Sequence, residues 1–307
     1  MDTFLQQIIN GLVQGSIYAL VALGYTMVYG IMGLINFAHG EVVMIGTLVA
    51  ITSLTTLNAL GVPAVLAALI AVLLSILTCM SIGWGLERIA YRPLRNAPRL
   101  TPLITAIGMS LLLQNLAMII WGRNYLKFPP LIERVTYEFG DLSFSNVQIL
   151  IVAVAAISMS GLLLLVYRTK LGMAMRATAQ NPQVASLMGV NINRVIASAF
   201  VIGSALAAIA GIMIGNYYEI AHYQMGFMLG LKAFTAAVLG GIGNLAGAML
   251  GGILLGLIEA LGAGYIEDLT GGFLGSHYQD IFAFVVLIGV LMFRPSGLLG
   301  EKTGDRA

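Results

Sequence analysis

The chain has 307 residues, of which 59% are hydrophobic and 9% charged, and its formal net charge is +2. A soluble protein carries about 25% charged residues, so a water-soluble globular fold is excluded, and a charge this small gives no reason to expect nucleic acid as a partner. The apolar runs reach twenty residues or more, enough to cross about 30 Å of hydrocarbon as helix. Barrel strands instead alternate polar and apolar over about ten residues. The expected class is therefore an all-α polytopic membrane protein.

The opening "MDTFLQQIINGLVQG" has no basic n-region and no small-residue cleavage site, so it reads as the start of the first crossing rather than a removed signal. Apolar segments follow at 8–30, 36–56, 62–89, 101–121, 146–167, 193–216, 229–243, 246–264 and 280–293, about eight or nine transmembrane segments with short broken or half helices. The seventh is short, lies between Gly-rich ends, and reads as a half-helix.

Between the first two segments lies "GLINFAHG", from Gly33; in the second half "GIGNLAGA", from Gly241, repeats its Gly, Asn, apolar and Ala positions. Paired Gly-rich interruptions in the two halves point to an internal repeat with a pathway near the breaks. Chance similarity in Gly/Ala-rich membrane sequence is the competing explanation. Asn36, His39, Glu41 and Asn244 are the candidate pathway residues. For His39 and Glu41 two readings stand: hydrogen-bonded groups that line a gate or support unwound backbone, or a loop at the cytoplasmic interface satisfied by water.

Basic residues orient the segments. The loop "ERIAYRPLRNAPR", with Arg88, Arg92, Arg95 and Arg99, is expected in the cytoplasm. So is the stretch holding Arg168, Lys170, Arg176 and Arg194, and the tail with Lys302 and Arg306. Residues 122–145, of mixed sign, and 217–228, without Lys or Arg, are expected outside. These assignments put the N-terminus outside, unless the second segment is re-entrant. Glu87 and Arg88 are expected to reach for the interface. Gln114, Asn115, Lys232 and Glu259 stand as lone polar candidates. Cys79, the single cysteine, can form no intrachain disulfide and reads as a small buried hydrophobe.

One polar island interrupts the apolar pattern: "MRATAQNPQVASLMGVNINR", Met175 to Arg194. Pro182 is tolerated only near a helix start, which predicts a short helix from Asn181 to Met188. Gly189 ends it as a C′ glycine. Val184, Leu187 and Met188 then share one apolar face.

No catalytic constellation is visible. His39, His222 and His277 lack metal-ligand spacing. Neither a G-x-S-x-G elbow, an H-E-x-x-H pair nor a G-x-x-x-x-G-K-[ST] phosphate loop occurs. No cofactor is expected, and any ATP that drives this chain must be handled by other subunits.

The island resembles the coupling helix of ABC importer permeases, whose pattern is E-A-A-x-x-x-G. Here Gln183, Val184 and Ala185 are followed, after three residues, by Gly189; the family's Glu and first Ala are absent. The wider match is more specific. "GYTMVYGIMGLINFAHGEVVMIG", "ERIAYRPLR", "TAIGMSLLLQN", "NPQVASLMGVN", "FTAAVLGGIGNLAGAMLGG" and "FRPSGLLG" together look like the branched-chain amino acid permeases of the LivH type, from about Gln6 to Gly300. The resemblance implies one permease domain over 1–307 in a bacterial inner membrane, with a cytoplasmic C-terminus and a cytoplasmic coupling loop at 168–194. Asn181, Gln183, Val184, Ala185, Leu187, Met188 and Gly189 would engage the ATPase. The implied partners are a LivM-type second permease, LivG-like and LivF-like ATPase subunits, and a periplasmic binding protein delivering leucine, isoleucine or valine. Urea or short-amide permeases share these motifs and remain the alternative. A passive channel or secondary transporter would not need the docking island, and a membrane enzyme would need a polar catalytic cluster.

Overall fold

The computed structural model describes residues 2–95, 97–98, 100–140, 142–269, 279–294 and 296–300. Arg99, Asp141, His277, Lys302 and Arg306 lie outside the described residues. The helices are α1 (Asp2–Met32), α2 (His39–Ala59), α3 (Ala64–Gly85), α4 (Leu100–Trp121), α5 (Asn146–Arg168), α6 (Lys170–Gln180), α7 (Pro182–Leu187), α8 (Ile192–Tyr218), α9 (Met225–Gly240), α10 (Leu245–Leu269) and α11 (Gln279–Phe293). A π-helical turn, Leu86–Tyr91, and a 3-10 turn, Arg92–Leu94, extend α3. The short strands are β1 (Leu126–Lys127), β2 (Thr136–Phe139), β3 (Leu142–Ser145) and β4 (Ile220–Ala221).

Among the described residues, seven helices are long and apolar enough to cross a membrane, and α9 and α11 add shorter apolar ones. Each of the nine expected segments has its helix. Three details differ from the sequence reading. The short helix α9 begins at Met225, four residues before the expected 229, with the uncharged turn Met225–Met228 already helical. The loop 122–145 is not plain loop: β2 and β3 form a hairpin, and β1 pairs with β4, Leu126 opposite Ala221 and Lys127 opposite Ile220. The polar island holds two helices, since α6 already occupies residues 170–180 before α7 begins.

The helices alternate between two faces. On one, the start of α1 meets β3 through Gln6, which donates to the Ser143 carbonyl and accepts from its N–H; β1 and β4 lie there too. On the other, Asn36 meets Tyr91, Arg95 meets Asn193, and Asn244 meets the Leu299 carbonyl. Arg88, Arg92, Arg95, Arg168, Lys170, Arg176, Arg194 and Arg294 all belong to this second, basic face.

The centre of the bundle is α1 and α8, with 78% and 72% of their spanning windows buried, while α3, α4 and α5 bury 22–28% and present apolar side chains outward. Lipid is as apolar as leucine, so helices there associate by close packing rather than by hydrophobic exclusion. Small residues make that possible. Gly11, Gly15 and Ala19 of α1 lie against Gly252, Ile253, Gly256 and Leu257 of α10 at backbone distance. A methyl group on Gly15 would sit 2.7 Å from the Ile253 Cα, and one on Gly11 2.8 Å from the Leu257 Cα. By contrast, nothing lies within 4 Å of a methyl on Gly108 of α4.

This contrast gives a paired test. Gly15→Val should push α1 from α10 and cost at least the roughly 1–3 kcal/mol of an overpacked core. Gly108→Val faces outward, meets nothing, and should cost nothing measurable, since valine is a somewhat better helix former than glycine. Thermal unfolding of the two variants in detergent, followed by size-exclusion fluorescence, checks it.

Candidate pathway cluster and docking surface

The first break is residues 33–38. Its freed backbone is satisfied by Asn36, whose Oδ1 accepts from the Ala38 N–H at 3.1 Å and from the Tyr91 hydroxyl at 2.9 Å. Irregular backbone at membrane depth survives only with such partners. Tyr91 reaches inward because the π-helical turn carries on the buried stripe of α3, Ala67, Ala71, Ser75, Cys79 and Gly83, at four-residue spacing. Glu87 lies on that same stripe and so also faces inward. It is fully buried, with Arg92 Nη2 at 2.7 Å and Arg95 bonded to its other oxygen; Arg95 also donates to Asn193 Oδ1 at 2.5 Å. The expectation that Glu87 reaches for the interface is therefore corrected: only Arg88 is exposed there, with its guanidinium 5.1 Å over the Trp84 ring.

After the break, α2 starts inside the bundle rather than at its edge. The His39 ring lies against Gly24 of α1, six residues and so about 9 Å along the helix from Gly30, which meets the second break at Gly243. His39 packs edge-on to Tyr25 with ring centroids 4.9 Å apart, and its Nε2 is buried without a hydrogen-bond partner among the described residues. Glu41, in the first turn of α2, is 1% exposed. Its Oε1 accepts from the Ser110 hydroxyl of α4 at 3.1 Å. A charge at this depth costs on the order of 3 kcal/mol. Both residues lie in the buried first turn of α2 rather than in a loop.

Asn244 closes the second break. Its Oδ1 accepts from the Gly247 N–H at 3.0 Å, capping α10, and its Nδ2 donates to the Leu299 carbonyl at 2.8 Å. The two breaks thus face each other across Gly30 and Gly243 on the basic side, while His39 and Glu41 lie deeper. A cleft of about 80 Å³ opens beside Ser110, between α4 and α9. Gln114 lines it; Asn115 faces outward and donates to its own helix at Leu111.

Lys232 and Glu259, separate candidates in the sequence, form one group. The Lys232 ammonium is 3.1 Å from Glu259 Oε2, which also accepts from the Tyr18 hydroxyl at 2.7 Å and the Gln14 amide at 2.9 Å. Antiparallel packing of α9 on α10 brings them together from 27 positions apart, a contact no local pattern signals. The group ties α1, α9 and α10.

The basic face carries the candidate docking surface. Asn181 caps α7 by accepting from the Val184 N–H at 3.1 Å, with Pro182 at the first helical position. Gly189, at φ +85°, ends it: its N–H bonds the Ser186 carbonyl and the Val190 N–H bonds that of Ala185, the paired bonds of a Schellman motif. Ala185 is buried, Gln183 is exposed, and Val184, Leu187 and Met188 are 53%, 86% and 81% exposed. Before it, α6 is fixed by Arg176, which donates to the Val166 carbonyl at the end of α5 at 2.6 Å. A cavity of about 90 Å³ separates Met175 and Ala179 of α6 from Gly30 and Gly243. Helix α6 and the two breaks are therefore neighbours.

Residues 7–291 match the family described as "Branched-chain amino acid transport system / permease component". Among curated proteins, the chain is 48% identical to the high-affinity branched-chain amino acid transport system permease protein BraD of Pseudomonas aeruginosa, over 99% of this chain and 98% of that one. It is 44% identical to the corresponding protein LivH of Escherichia coli (strain K12), over 99% and 97%. Among solved structures, a chain of PsaBC from Streptococcus pneumoniae in complex with Fab aligns over 95% of this chain and 92% of its own, at 14% identity and a TM-score of 0.47.

Asn36→Leu leaves the Ala38 N–H and the Tyr91 hydroxyl without acceptors in a buried site, each worth about 1–3 kcal/mol. Tyr91→Phe removes one donor and strands nothing, so it should cost less. Combining the two should cost less than the sum of the single changes, as measured by unfolding in a double-mutant cycle.

Proposed function

This chain belongs to the family of branched-chain amino acid transport permease components, and we propose that it is one transmembrane subunit of an ATP-driven importer that carries leucine, isoleucine and valine across a bacterial inner membrane. The observation that carries this reading is near-full-length identity to two permease proteins whose names state that substrate class. The basic face is then cytoplasmic, with the C-terminus on that side and the N-terminus opposite. The whole chain acts as one permease domain, with residues 168–194 as its coupling loop.

In this mechanism the subunit binds no ATP. LivG-like and LivF-like ATPase subunits dock from the cytoplasm, and α7 enters a cleft of one of them. Burying Leu187 and Met188 there would contribute about 1.5–3 kcal/mol each, with Val184 on the same face. Asn181 and Gly189 set the entry and exit angles of α7, and Ala185 anchors it to the bundle. Movement of α7 is passed through α6, held to α5 by Arg176, to the end of α1 and the two facing breaks. Asn36 and Asn244 hold those breaks, and His39 and Glu41 lie on the pathway side of them. A LivM-type permease completes the pathway, and a periplasmic binding protein delivers the amino acid to the opposite face.

Gly189→Glu tests the coupling. The left-handed backbone costs a non-Gly residue roughly 1–2 kcal/mol, and the carboxylate adds a charge that docking would have to desolvate. The variant should insert normally, pull down its ATPase partners poorly and lose ATP-dependent leucine uptake. Full assembly with full uptake would move the docking site to the Arg88–Arg95 turn. The purified subunit alone should hydrolyse no ATP, and hydrolysis surviving removal of contaminating ATPases would overturn the division of labour.

A further inference from the structure

Three buried carboxylates lie in the described bundle, and they differ in what they face. Glu87 is met by two arginines, and Glu259 by Lys232, Tyr18 and Gln14. Glu41 has no ion pair among the described residues. One of its oxygens holds the Ser110 hydroxyl, and the other, Oε2, is buried with no hydrogen-bond partner there. That second oxygen lies beside Gly226, where an added methyl would stand 2.6 Å from it.

Two helix N-termini meet at this point. Gly40 and Glu41 are in the first turn of α2, and Gly226 is in the first turn of α9; the Gly40 backbone is also within 3.2 Å of a methyl built on Gly230. Neither helix has a side-chain N-cap bond. Their partial positive charges favour a carboxylate here but leave Oε2 without a donor. His39, the nearest basic group on α2, turns its ring onto Gly24 and Tyr25 of α1, and Lys232 of α9 is engaged by Glu259.

The cleft between α4 and α9 ends one side chain short of this group, with Ser110 and Phe227 between its space and Glu41. Ser110, which holds Glu41, and Gln114 give it a polar edge, while Phe37, Ile107, Leu111 and Phe227 make the rest apolar. An unpaired acceptor just behind the polar edge of a largely apolar cleft matches a cation on an aliphatic body. We propose that Glu41 binds the α-ammonium of the transported amino acid, whose branched side chain lies along the apolar walls. The substrate class in this statement rests on the function proposed above; the cation preference of the cleft does not.

The test uses the assembled importer in proteoliposomes, with Gln114→Cys as a reporter in the cleft and the buried Cys79 as the only other thiol of this chain. A cationic methanethiosulfonate should modify the reporter about tenfold or more faster than an anionic one, as a cleft of one sign concentrates its counter-ion. L-leucine delivered by the binding protein should slow the cationic reagent. Glu41→Gln should bring the two reagents close to equal rates and cut leucine uptake about tenfold or more, whereas Glu41→Asp should keep the preference. Equal reagent rates in the parent complex, a preference that survives Glu41→Gln, its loss in Glu41→Asp, or full leucine uptake by Glu41→Gln would each overturn the proposal. A parent complex that keeps the cation preference but carries no branched-chain amino acid would overturn the ammonium assignment through its substrate, leaving the cation site itself standing.

Discussion

The contact on which the rest of the bundle depends is the backbone approach of α1 and α10. With no side chains beyond Cα at Gly11, Gly15, Gly252 and Gly256, the two helices run together over much of their length. That alignment sets two other arrangements. It holds Tyr18 and Gln14 of α1 against Glu259 of α10, and it lays Gly30 against Gly243 so that the two breaks meet. Spread α1 from α10 by the width of one side chain, and the acidic group loses two of its donors while the breaks lose their common wall.

Polar groups inside the bundle divide by how completely they are answered. Glu87 and Glu259 each face a cation and further donors, which is the arrangement expected where a charge serves to join helices. Glu87 joins α3 to the basic-face turn, and Glu259 joins α1, α9 and α10. Glu41 is different in kind: it is as deeply buried as they are and only half answered. In a membrane interior, an incomplete shell around a carboxylate is costly. Glu41 also sits where two helices begin, beside the loosely packed α4, rather than in the close-packed centre.

Much of this was legible in the sequence. The nine apolar runs gave nine helices because a lipid-spanning helix must satisfy its own backbone, so length and hydropathy suffice. Pro182 and Gly189 marked the ends of α7 because each acts through its own φ. Glycine even hints at the centre: Gly11, Gly15, Gly24 and Gly30 lie in α1, where methyls would collide, whereas Gly108 and Gly161, on the outer helices α4 and α5, border open space. What stayed hidden depended on rotation or on distance along the chain. Glu87 faces inward on a stripe of small buried residues in α3, and hydropathy does not mark that face because α3 is apolar on every side. The partners of Lys232 and the start of α2 deep beside Gly24 are tertiary facts. The strands β1 and β4 are two residues each, too short to leave a period.

The pairing of β1 with β4 also decides how the cleft can change shape. β1 follows α4 and β4 precedes α9, so the two walls of the cleft are stitched together at one end, with the Phe128 N–H bonded to the Glu219 carbonyl just beyond. At the other end α4 leads back to the 86–95 turn and α9 to the second break, with no such stitch between them among the described residues. Two staves joined at one tip behave as a clothes-peg. They spread widest at the free tips, and the gap they enclose widens toward the side on which α6 and α7 lie.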